Sequence, residues 1–133
     1  MKIVPSDKIY LSESQIPNAG RGVFAKVNIR KGEVIEICPV IVTPEDQEDI
    51  IDATMFINFT FRWKGKEMAI CLGFGSIYNH SYHPNAKFDT DVKQKLMTFT
   101  ALKDIKKDEE ITINYNFENP NLEAHKWLKS VKD

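Results

Sequence analysis

Residues 73–85, Gly-Phe-Gly-Ser-Ile-Tyr-Asn-His-Ser-Tyr-His-Pro-Asn, carry the densest chemistry in the chain. Two Asn, two His, two Ser and two Tyr place donors, acceptors and titratable rings in one short span between apolar runs. The same residue types also satisfy a loop's own backbone. Composition alone therefore leaves two readings level: a site held between strands, or a long connection that caps itself. A second candidate is the turn cluster at 17–22, Pro-Asn-Ala-Gly-Arg-Gly. Glycines on either side of Arg21 let a backbone approach a ligand, or permit a tight bend, and a lone Gly-x-Gly favours the bend. A third is Tyr115. In 111–116, Ile-Thr-Ile-Asn-Tyr-Asn, it shares a face with Ile111 and Ile113, so it reads first as a core tyrosine at a strand end.

Other chemistries find little support. Two cysteines and three histidines, none in Cys-x-x-Cys or His-x-x-x-His spacing, argue against structural zinc, and no metal site is expected. Cys38 and Cys71 sit in apolar runs, which predicts buried free thiols in a reducing, cytoplasmic setting. A formal net charge of -1 provides no overall basic field for nucleic acid or an anionic membrane. The longest apolar runs fall short of a bilayer span, and the N-terminus lacks a signal peptide's apolar core. The 133 residues, 42% hydrophobic and 28% charged, suit one globular domain over 1–133.

The elements that must position these residues read as mostly β. Strands are expected at 9–12 and 23–25. A strand at 34–42 is so rich in Val and Ile that it should be buried on both faces. Thr43-Pro44-Glu45-Asp46 reads as a helix start with Thr43 as cap, running to about 52. Residues 55–63, with Phe56, Phe59, Phe61 and Trp63, read as an aromatic strand that turns at 64–66 and returns over 67–72. Strands follow at 86–90, 96–101 and 111–116, and a short helix at 121–129. Residues 27–35 and 102–111 share a design, Ile then two basic residues, a turn, Glu and a strand, which predicts one turn solution used twice.

Three separated elements coincide in order and spacing: Gly20-Arg21-Gly22-Val23-Phe24-Ala25, Tyr78-Asn79-His80-Ser81-Tyr82-His83-Pro84-Asn85, and Glu110-Ile111-Thr112-Ile113-Asn114-Tyr115. Together they resemble the SET domain, the fold of most protein-lysine methyltransferases, over roughly residues 9–117. The form is that of minimal bacterial and viral members without flanking zinc modules. The resemblance implies a β-clip fold of small curved sheets around a C-terminal pseudoknot, with one or two short helices. It implies an insert at about 43–72 that shapes a peptide groove, and a C-terminal flanking segment at about 117–133.

The same resemblance implies S-adenosyl-L-methionine as methyl donor and a lysine-bearing protein or peptide as substrate. Tyr115 would be the catalytic tyrosine. Gly20, Arg21, Gly22, Asn79 and His80 would hold the cofactor. Tyr78, Phe88, Phe117 and Trp127 would line or close the lysine channel, with an aromatic wall suited to the lysine stem and head. Some small members pair as homodimers through the insert and C-terminus. Two other readings stand beside this one. A catalytically silent SET-like module would bind a partner through 43–72. A β-rich domain of another fold would require the Asn79 loop and the Tyr115 strand to lie far apart. The acidic run 45–49 reads first as a solvated helix face, and second as a surface for a basic peptide.

Overall fold

The computed structural model describes residues 1–116. The expected helix at 121–129, with Phe117 and Trp127, lies outside the described residues. The nine strands described are β1 (Ile9–Glu13), β2 (Arg21–Ala25), β3 (Val34–Thr43), β4 (Thr60–Arg62), β5 (Met68–Cys71), β6 (Asn79–His80), β7 (Ala86–Asp91), β8 (Leu96–Ala101) and β9 (Glu110–Ile113). They form a sheet in the order β1-β2-β9-β6 and a second in the order β4-β5-β3-β8-β7.

Strand β3 organises the larger sheet. Its first part pairs with β8 from Val34 to Pro39, and its second with β5 from Val40 to Thr43. Pro39, which has no N–H to give a ladder, sits where β3 leaves one partner for the other. The interior face carries Glu36, Cys38 and Val40. Burial on both faces holds only in part, because Ile41 is 54% exposed. The core gathers Ile9, Val23, Ile35, Tyr78, Met97, Phe99, Ile111 and Ile113 from both sheets.

The smaller sheet settles where the site can form. Strand β9 runs antiparallel to β2, with Val23 opposite Ile111, and parallel to β6, with Asn79 opposite Thr112 and His80 opposite Ile113. Asn85 closes this clasp: its Nδ2 donates to the Glu110 carbonyl at 2.8 Å, and its Oδ1 accepts from the Thr112 N–H at 2.9 Å. The Asn79 loop and the Tyr115 strand are thus neighbours, which removes the reading of an unrelated fold that would separate them.

The two look-alike turns prove to be partners. Ile29 and Ile105 bridge antiparallel. Asn28 Oδ1 accepts from the Lys107 N–H at 2.9 Å, and Asp104 Oδ1 accepts from the Lys31 N–H at 2.8 Å. Gly32 and Asp108, each three residues past its Ile, both have positive φ. One turn solution, used twice, completes itself across a local two-fold relation.

The insert departs from expectation in two places. The β3–β5 ladder runs on to Thr43 opposite Met68, so Thr43 stays extended and Pro44 takes the cap position of a 3-10 turn at Glu45–Gln47. A single short helix, α1 (Glu48–Asp52), follows. Residues Met55–Phe59 form a 3-10 helix rather than a strand. The side chain of Thr54 accepts from the Phe56 N–H. Phe56 and Phe59, three apart, fit the three-residue turn better than the two-residue alternation read from the aromatics. Only Thr60–Arg62 is extended.

Candidate active site

Two loops converge on β9. Asn79 Nδ2 donates to the Arg21 carbonyl at 3.0 Å and to Glu110 Oε2 at 2.8 Å, which engages both of its protons. Ser14 Oγ donates to Glu110 Oε1 at 2.7 Å. Glu110 therefore ties the first loop to the second. Its carboxylate lies over Gly22, where a Cβ would meet Glu110 Oε2 at 2.3 Å and Asn79 Nδ2 at 2.9 Å. Gly20 has φ +73 and open space around it. The two glycines thus do different work: Gly20 makes the bend, and Gly22 is buried beneath Asn79 and Glu110.

His80 is 3% exposed, and its Nδ1 accepts from the Tyr115 backbone N–H at 3.1 Å. That nitrogen accordingly carries no proton, and the ring holds the Tyr115 backbone against β6. The Tyr115 hydroxyl donates to the Tyr78 carbonyl. Burial pushes the Tyr115 phenol above its ordinary pKa, so at neutral pH it is a hydroxyl that donates and polarises, not a phenolate.

Tyr78 turns its ring inward. The ring is fully buried, stacks on Phe99 at 4.4 Å, and its hydroxyl donates to Glu36 Oε1 at 2.8 Å. What Tyr78 places beside the Tyr115 hydroxyl is its carbonyl, not the aromatic wall expected of it. Phe88 is 6% exposed and packs on Phe61 and Phe99. Phe61, which sequence reasoning passed over, stands edge-on to Tyr115 at 6.0 Å and to Phe88 at 5.2 Å. The aromatic alternation of the insert carries its signal, but that pattern by itself points only to a hairpin. Glu110 stands in the third motif, where the sequence alone gives it no role.

A cavity of about 400 Å³ opens beside these groups. Asn18, Ala19, Gly20 and Arg21 line it from the first loop, Ser76, Ile77 and Asn79 from the second, and Tyr115 from the end of β9. Asn58 and Phe59 of the insert complete it. Its volume falls in the range of small-molecule sites, and its lining offers backbone, amide, guanidinium and aromatic groups to a ligand. The acids at 45, 46 and 49 are exposed, and the side chain of Glu45 accepts from the Lys66 N–H at 3.1 Å.

The model of the SET domain family matches residues 20–116, which include Gly20, Arg21, Asn79, His80, Glu110 and Tyr115. A histone-lysine N-methyltransferase of Schizosaccharomyces pombe, specific for lysine 37 of H3, is 35% identical over 97 residues, 72% of this chain. The match spans 66% of that relative's length. Among solved structures, a Plasmodium falciparum protein designated a candidate histone methyltransferase superposes with a TM-score of 0.63 at 30% identity, covering 85% of this chain and 95% of that one. An autoinhibited ctPRC2 bound to S-adenosylmethionine shares the fold, with a TM-score of 0.70 at 22% identity over 89% of this chain and 16% of its own. The clasp of β2, β6 and β9 around one cavity, and a family match from the first loop to Asn116, lead to one conclusion: this chain belongs to the SET domain family.

Proposed function

We propose that this protein transfers a methyl group from S-adenosyl-L-methionine to the side-chain amine of a lysine in a protein substrate. One observation carries the reading: the Gly20-Arg21 pair, Asn79 and Tyr115, from three distant stretches of sequence, line a single cavity of about 400 Å³. That space and lining fit the cofactor. The backbone of the Gly20 bend and the Arg21 guanidinium would take its carboxylate end, and the backbone around Asn79 and His80 its adenine. When bound, the cofactor supplies an electrophilic methyl on a cationic sulfonium, whose charge also favours a neutral lysine amine.

The chain's own groups do the rest. Tyr115 presents a protonated hydroxyl, held by the Tyr78 carbonyl and by the His80 bond to its backbone, where an amine must be aligned. Phe61 and Phe59 supply apolar surface near that point. The five acids at 45, 46, 48, 49 and 52, with no basic residue between 43 and 61, support a substrate whose lysine has basic neighbours. Buried Cys38 and Cys71 support a reducing, cytoplasmic setting. The test is calorimetric titration with S-adenosyl-L-methionine: binding that weakens at least tenfold in Asn79→Ala is expected, and absence of binding to the wild type would reject the reading.

A further inference from the structure

Glu36 is a buried carboxylate that the mechanism above does not use. It is 7% exposed, and no ion pair to it forms among the described residues. The register of β3 to β8 shifts between Val34 and Glu36, and from Glu36 onward strand alternation sets the carboxylate on the interior face with Cys38 and Val40. A buried charge is costly unless hydrogen bonds offset it. Two do. Glu36 Oε2 accepts from the Phe74 N–H at 2.9 Å, and Oε1 accepts from the Tyr78 hydroxyl at 2.8 Å. The chain also makes room for the carboxylate. Gly73, at φ +63, passes so close that a Cβ would come within 2.5 Å of Oε2.

These bonds pin both ends of residues 74–78. The Tyr78 ring is fixed twice, by Glu36 and by stacking on Phe99 at 19°. Tyr78 then gives its carbonyl to the Tyr115 hydroxyl and is followed directly by Asn79. We infer that Glu36 is a positioning residue for methyl transfer: through the Tyr78 ring it fixes the carbonyl that orients the Tyr115 hydroxyl. This role rests on the functional reading above. A carboxylate suits it because charge-assisted bonds are shorter and stronger than neutral ones, so the hydroxyl it holds has little play.

Tyr78→Phe keeps the ring and the carbonyl and removes only the donated proton. Glu36→Gln keeps the shape and removes the charge. Both are compared with wild type using histone H3 as acceptor at saturating S-adenosyl-L-methionine. The expected result is a fall in kcat of about tenfold or more for each, in line with the cost of misplacing a reacting group, with cofactor Kd held within about twofold. The double variant should be no slower than the slower single one, since both act on one linkage. A second readout needs no cofactor. In protein carrying 13C-labelled tyrosine, the Tyr115 Cζ resonance, assigned by its loss in Tyr115→Phe, should move in both variants and stay in place in Lys93→Ala, on an exposed turn. A lowered melting temperature with unchanged kcat and an unmoved Tyr115 resonance would overturn the inference alone. A wild type that binds no S-adenosyl-L-methionine would overturn the functional reading and this role with it.

Discussion

Tyr115 makes the residue-scale case, because its two ends are held by different groups for different reasons. Its backbone N–H is bound by His80, its hydroxyl by the Tyr78 carbonyl, and its ring by the edge of Phe61. Tyr115→Phe removes one of these three restraints. Methyl transfer is expected to fall about 100-fold or more, the scale of losing one oriented donor at a reacting centre, while calorimetry finds cofactor binding within about twofold. The phenols give a second prediction. Burial raises the pKa of both Tyr78 and Tyr115, and the Glu36 charge adds to the effect on Tyr78. A phenol whose folded pKa lies above its unfolded value contributes stability that is complete below about pH 10 and is lost as pH rises beyond it. Alkaline titration followed at 295 nm should show these two tyrosines ionising only as the protein unfolds. Ionisation of all four tyrosines in a native protein would contradict it. The residue roles were only partly legible in sequence. The spacing of Asn79, His80 and Tyr115 pointed to one site, but the inward turn of Tyr78 depends on Glu36, 42 residues away. No local pattern reports such a pairing.

At the scale of elements, the working unit is the clasp of β2, β9 and β6. Asn79 joins it to the first loop through one hydrogen bond to the Arg21 carbonyl and a second to Glu110, which continues the link to Ser14. Asn79→Ala leaves Glu110 without that donor and is expected to cost about 1–3 kcal/mol of stability, measured by denaturant unfolding. Gly22→Ala forces a methyl against Glu110 and Asn79, and should cost about 1–3 kcal/mol and weaken cofactor binding as well. The paired turns make a separate prediction. Asn28→Ala and Asp104→Ala break equivalent bonds in the two halves of one arrangement, so each should cost about the same, roughly 0.5–1.5 kcal/mol. A large loss in one and none in the other would contradict the two-fold relation. The insert was the least legible element. Its aromatic residues carry both strand and 3-10 spacing, and tertiary pairing of Thr43 with Met68 overrode the local helix-cap signal. Phe61, a buried aromatic of that insert, should cost about 3–5 kcal/mol on change to Ala.

Across the whole molecule, most of the fold was legible because its strands are short, separated by turn residues, and alternate cleanly at β8 and β9. The resemblance of three spaced motifs, more than periodicity, supplied the topology that brings β6 beside β9, since parallel pairing of residues 79–80 with 112–113 leaves no periodic trace. What remained hidden were the contacts between distant polar groups: Glu36 with Tyr78, and Glu110 with Asn79 and Ser14. These are the contacts that turn three stretches of chain into one cavity. The central claim is that this cavity serves methyl transfer to lysine, and it is tested most directly by mass spectrometry of protein substrates incubated with methyl-labelled S-adenosyl-L-methionine. The account predicts labelled methyl groups on lysine side chains with the wild type and at least a 100-fold drop with Tyr115→Phe. Equal labelling by the two proteins, or no lysine labelling by a wild type that binds the cofactor, would contradict it.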